Sequence, residues 1–180
     1  MKRLLLVDDE INVLHALRRV LNHGFAGKGI IVETFDDPEA ALLRAGEVDF
    51  DVVVSDFRMP TMNGVAFLRC FKGIQPEATR LILSAATDFD ALVIAINEIG
   101  IFRYLPKPWV NDDLIATVEA AGRDHQRQME ERVLLDNAKR QLEGSSNEEL
   151  ERLRLEAEEP GITHVNWGAD GSVILDNQNP

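Results

Sequence analysis

Residues 51–60, Asp51-Val52-Val53-Val54-Ser55-Asp56-Phe57-Arg58-Met59-Pro60, constrain the fold more than any other stretch. A run of β-branched apolar side chains ends at an acid and then breaks at proline. Such a run fits a central strand buried on both faces, with Asp56 carried to its carboxyl end. In open parallel sheets, ligands and chemistry collect at the carboxyl ends of the strands. Asp56 is therefore the first candidate for a reacting group.

Other segments repeat the pattern on both sides of this one. Leu4–Val7 reads as a short buried strand ending in Asp8-Asp9-Glu10. Ile11, Leu14, Leu17, Val20 and Leu21 follow at helical spacing, and Asn22-His23-Gly24 stops that helix. Ile30–Phe35 is a second strand. Asp37 with Pro38 signals the next helix start, an N-cap followed by proline at the first helical position. After the central strand, Asn63-Gly64 opens a helix with Val65, Phe67, Leu68 and Phe71. Arg80–Ser84 is the fourth strand and Ala91–Ile99 the fourth helix. Phe102–Leu105 is the fifth strand, running into Pro106-Lys107-Pro108-Trp109. Asn111-Asp112-Asp113 caps a fifth helix, with acids where the helix dipole favours them.

Strands alternating with helices over short loops imply a parallel, doubly wound α/β sheet. Five such units fit the flavodoxin-like order 2-1-3-4-5. That order sets strands one and three side by side, so Asp8, Asp9 and Asp56 converge on one crevice, with Ser84 and Lys107 across it. Three carboxylates so close repel one another and call for a cation or a proton. Hard oxygen ligands suit Mg²⁺, which takes one or two carboxylates, waters and a phosphoryl oxygen. Aspartate can attack phosphorus to form an acyl phosphate. Lys107 can neutralise the transferred group and the Ser84 hydroxyl can hydrogen-bond it. Taken singly, each residue has a plainer reading: helix capping for Asp8-Asp9-Glu10, a loop polar group for Ser84, a solvated lysine for Lys107. Their joint placement at the ends of four strands favours the site.

These residues, Asp8-Asp9-Glu10, Asp56-Phe57-Arg58-Met59-Pro60 with Gly64, Ser84, and Lys107-Pro108, resemble a bacterial response-regulator receiver domain over residues 1 to about 122. The resemblance implies Asp56 as phosphoacceptor and Mg²⁺ held by Asp8, Asp9, Asp56 and the Arg58 backbone carbonyl. It further implies phosphoryl contacts from Ser84 and Lys107, and a switch formed by Ser84 and Tyr104 on the face of the fourth helix, fifth strand and fifth helix. The stretch from Ile96 to Trp109 is similar to receivers fused to cyclic-di-GMP phosphodiesterases or to hydrogenase-type regulators. Pro106 stands where that subfamily usually has threonine, and Ala85-Ala86 after Ser84 leave the phosphoryl site open, which bears on acyl-phosphate lifetime. Three other readings compete. A flavin-mononucleotide carrier would need a phosphate cradle where this chain has three acids. A phosphoaspartate hydrolase would carry a second acid where Arg58 stands. An unphosphorylated interaction scaffold would not need the complete acid, serine and lysine set.

Composition bounds the rest. A net charge of −12 argues against direct nucleic-acid binding, and one cysteine, Cys70, fits a reducing cytoplasm. No apolar run is long enough to span a membrane. The expected partners are a sensor histidine kinase and an unidentified downstream protein, and the chain itself is expected to be a phosphoacceptor rather than an enzyme. Residues 123–159 read as a helical extension, interrupted at Gly144-Ser145-Ser146-Asn147 and restarted by a capping box of Ser146 with Glu149. Its apolar positions recur at three and four, which suggests a homodimer. Residues 160–180 read as a β-hairpin around Gly168-Ala169-Asp170-Gly171.

Overall fold

A computed structural model describes residues 1–85, 99–158, 166–167 and 173–174. Backbone packing divides the chain into two units, Met1–Glu131 and Arg132–Pro180. In the first, five parallel strands, β1 (Arg3–Val7), β2 (Ile31–Phe35), β3 (Val52–Asp56), β4 (Thr79–Ala85) and β5 (Arg103–Lys107), form one sheet in the order β2-β1-β3-β4-β5. This is the flavodoxin-like order expected from the alternation of strands and helices.

The helices are α1 (Ile11–Gly24), α2 (Pro38–Ala45), α3 (Gly64–Ile74) and α4 (Asn111–Glu158). The helix expected over 91–99 lies almost wholly outside the described residues, so the long C-terminal helix is α4 here. Strand alternation sorts the core into two layers. Leu5, Val7, Val53 and Ile82 face Ala41, Ala45, Phe67, Leu68 and Phe71 from α2 and α3. Leu4, Leu6, Val52, Val54, Leu81 and Leu83 face Leu14, Leu17 and Leu21 of α1 and Leu114, Val118 and Ala121 of α4. All five β3 residues are buried, as a strand covered on both faces requires. Pro106 falls in β5, which is tolerated because β5 is an edge strand.

Local signals mostly held. The Asp37 carboxylate accepts the Glu39 amide and Pro38 opens α2. Glu10, the N-cap of α1, makes no side-chain cap bond, so the acids after β1 do not cap that helix through it. Ile11 is exposed rather than part of the buried stripe. The main correction concerns 144–147. No break occurs there: α4 runs unbroken from Asn111 to Glu158, and no separate short helix starts at Ser146. One glycine costs a helix only about 1 kcal/mol against alanine, too little to interrupt a strongly helical flanking sequence. In the second unit, β6 (Asn166–Trp167) pairs antiparallel with β7 (Val173–Ile174), as the expected hairpin requires; its turn and outer residues lie outside the described residues.

One buried amide was not anticipated. The Gln75 side chain accepts from the Phe50 amide at 2.8 Å and donates to the Ala45 and Val48 carbonyls at 2.6 and 2.7 Å. It thereby ties the loop after α2 to the end of α3. Gln75→Leu keeps the volume but orphans these groups, so urea unfolding should show a loss of about 1–3 kcal/mol or more with an unchanged denaturant slope.

Candidate functional site

The carboxyl ends of β1 and β3 place three acids in one crevice. Asp8 follows β1, Asp56 ends β3, and the register of these strands sets Val7 beside Ser55. One carboxylate oxygen from each of Asp8, Asp9 and Asp56 lies within 4.8 Å of the others. Asp8 and Asp56 are buried, whereas Asp9 is open to solvent. Among the described residues this is the one acidic, histidine or cysteine cluster with metal-holding spacing.

Lys107 reaches in from the end of β5. Its Nζ lies 2.7 Å from Asp8 Oδ2 and 2.5 Å from Asp56 Oδ1. Burial opposes its charge, but the hydrogen bonds to Asp56 and Asp8 outweigh burial and raise the lysine above its ordinary value. For Asp8 the balance runs the other way. Burial raises its carboxyl above the ordinary aspartate value, despite bonds from Lys107 and the Glu10 amide. The second Asp56 oxygen accepts the Arg58 amide at 2.8 Å, which fixes the carboxylate's orientation.

The loop after Asp56 depends on Gly64. A Cβ at this position would lie 2.0 Å from the Asp56 carbonyl oxygen and 2.9 Å from its carbon. Gly64 also donates its amide to the Phe57 carbonyl at 2.9 Å. Backbone approach this close admits glycine alone. The spacing from Asp56 to Gly64 marked this glycine in the sequence, although not its reason.

The remaining expected residues sit nearby with different roles open to them. Ser84 is buried on β4, one residue beyond Leu83, the register neighbour of Asp56, and its hydroxyl donates to the Ala85 carbonyl. Tyr104 is exposed on β5 opposite Ile82, two strands from Asp56. The Lys107–Pro108 peptide is cis.

The donor set is hard, anionic and partly solvent-facing, which fits a divalent cation with open positions. A family model for the response regulator receiver domain matches residues 4–119. The chain belongs to this family. It is 40% identical over 117 residues to the hydrogenase transcriptional regulatory protein HoxA of Cupriavidus necator, covering 65% of this chain and 23% of that one. It is 37% identical over 126 residues to the DNA-binding transcriptional regulator NtrC of Salmonella typhimurium, covering 70% and 26%. The chain thus spans about a quarter of the length of these curated relatives. Among solved structures, the signal receiver domain of an HD domain-containing protein from Pseudomonas fluorescens superposes with a TM-score of 0.64 at 28% identity, covering 70% of this chain and 98% of that one. A receiver domain protein from Clostridium thermocellum gives 0.59 at 28%, covering 75% and 99%. Receiver domains are signalling domains of two-component systems, work with histidine kinases and bind Mg²⁺ at an acidic pocket.

Crowded carboxylates store repulsion that a cation relieves. Asp9→Asn should therefore raise the thermal midpoint in metal-free buffer and shrink the further rise that Mg²⁺ gives the wild type. Calorimetry with and without Mg²⁺ checks both changes; a variant less stable than wild type in both buffers contradicts the assignment of Asp9 to the repulsive cluster.

Proposed function

We propose that Asp56 accepts a phosphoryl group from a sensor histidine kinase, and that the chain signals by protein contacts. The observation that supports this most directly is Lys107 bridging Asp8 and Asp56 beside the open carboxylate of Asp9. An Asp56 oxygen attacks phosphorus, the bond from phosphorus to the kinase imidazole nitrogen breaks, and that nitrogen keeps the electron pair. Lys107 exchanges part of its bond with Asp56 for one to the new phosphoryl oxygens. Ser84, a strand away, turns its hydroxyl from the Ala85 carbonyl to the same group. Asp8, Asp9, Asp56 and the Arg58 carbonyl would hold Mg²⁺, which supplies charge neutralisation of the incoming oxygens. The Arg58 amide orients the carboxylate throughout.

The reading carries the output to the β5 side of the sheet. Movement of Ser84 frees space that the exposed Tyr104 side chain fills, which is a two-state change on the signalling face. The chain works in the cytoplasm through contacts with a downstream protein, without direct nucleic-acid binding of its own. No helix of the described residues is long and apolar enough to cross a membrane. The apolar side chains of Met129, Val133, Leu134 and Leu135 are exposed along α4, and a second copy of the helix is the occupant that best suits them. Receiver boundaries near residue 122, with the helical extension to 159 and the hairpin beyond, complete this organisation.

Two measurements test it. With Mg²⁺ and a small phosphodonor, wild-type protein should gain one phosphoryl mass and Asp56→Asn none; an equal gain in the variant removes Asp56 from the role. By light scattering, the 180-residue chain should be a dimer, and the pair Leu134→Glu with Leu135→Glu a folded monomer. A wild-type monomer at tens of micromolar leaves the helix to another partner.

A further inference from the structure

The opposite end of the sheet carries a second polar constellation that phosphoryl chemistry does not use. Leu114, Val118 and Ala121 form the buried face of α4, and the next position on that face is His125. Instead of an apolar contact, its ring meets two oxygens. Nε2 lies 3.2 Å from Asp51 Oδ1 and Nδ1 lies 3.0 Å from the Glu77 carbonyl. Asp51, just before β3, is itself anchored. Its other oxygen accepts the Lys2 and Arg3 amides at 2.5 and 2.7 Å. One imidazole thus joins α4 to the segments that lead into β1, β3 and β4.

Chemistry restricts the ring's state. Neither a carboxylate nor a carbonyl oxygen donates a hydrogen bond, so both ring nitrogens must carry protons for both contacts to be attractive. A neutral ring would turn a lone pair toward one of the two oxygens. We propose that His125 is a proton-dependent latch, which as imidazolium holds the turn of α4 around residues 122–128 against the entry end of the sheet and loosens that turn when it loses a proton.

The charged groups around the ring agree with this. The Asp51 carboxylate stands before β3 and the chain's amino group before β1, while Glu77 before β4 offers its backbone carbonyl; on its own helix, the Asp124 carboxylate is engaged by Arg127 and Gln128. The bond to Asp51 raises the imidazolium above the ordinary histidine value, and the Glu77 carbonyl adds to it. Burial and the amino-terminal charge oppose this without cancelling it. For Asp51, burial pushes upward, but His125 and the Arg3 and Lys2 amides prevail and hold its carboxyl well below the usual range. The sign then follows. A basic group whose value rises on folding gives its full stabilisation below its unfolded value and loses it as pH climbs through the folded one. The latch is closed in mild acid and opens as pH climbs through the raised value of the imidazolium.

The test uses the whole 180-residue chain. Ring resonances of His125 followed by NMR should titrate with a midpoint above the free-imidazole value of about 6.5, with both nitrogens protonated at about pH 6. After correction for intrinsic exchange, amides of residues 122–131 should lose several-fold protection between about pH 6 and about pH 8.5. His125→Gln keeps one donor without a titrating proton, so its protection should stay flat across that window. Asp51→Asn should lower the wild-type midpoint. A His125 midpoint at or below the free value, or an equal loss of protection in wild type and His125→Gln, overturns the proposal.

Discussion

The Lys107 ammonium between Asp8 and Asp56 is the interaction on which the functional end of this molecule depends. Two buried carboxylates at adjacent strand ends would repel each other, and burial pushes the Asp8 carboxyl toward its neutral form. A single lysine from the edge strand makes a charged crevice tenable. Among the described residues, that ammonium stands beside a cluster of three acids. That cluster suits a pocket that takes up a cation and then an anionic group. Closure of the crevice around Gly64 follows from the same geometry, because the loop after Asp56 doubles back until only a hydrogen atom fits.

β3 is bounded by an acid at each end, and the two acids have opposite solutions. Asp56 shares a lysine that is also bound elsewhere, so its bonding is open to exchange. Asp51 is saturated by two backbone amides and a histidine, so it anchors. The contrast reflects what lies near each end. The carboxyl end gathers loops of several strands, whereas the amino end is sealed by the chain start and by α4. One strand therefore connects a reactive pole to a structural one, across a core whose side chains interlock on both faces.

Much of this was legible in the residues themselves. The alternation of apolar runs and helical stripes implied the strand order, and the strand order alone brought Asp8, Asp9, Asp56, Ser84 and Lys107 to one end. Asp37 with Pro38 marked a helix start because capping is local chemistry. The unbroken course of α4 was misread because Gly144 to Asn147 has the composition of a turn, while helix continuity is decided by the sum over many residues. Gln75 and His125 were missed for another reason. Their partners, Phe50 and Asp51, are distant in sequence, and a single polar residue on a buried stripe has no periodic signature. His125 did leave one trace, falling four residues after Ala121 on the inner face of α4.

The most direct test is a Mg²⁺ titration followed by amide chemical shifts on the unphosphorylated wild-type protein. The acid crevice as a cation site predicts saturable shifts at millimolar metal, centred on residues 8–10, 56–59 and 107, and their loss in Asp56→Asn. Shifts that do not saturate, or that centre away from the carboxyl ends of β1 and β3, would contradict it.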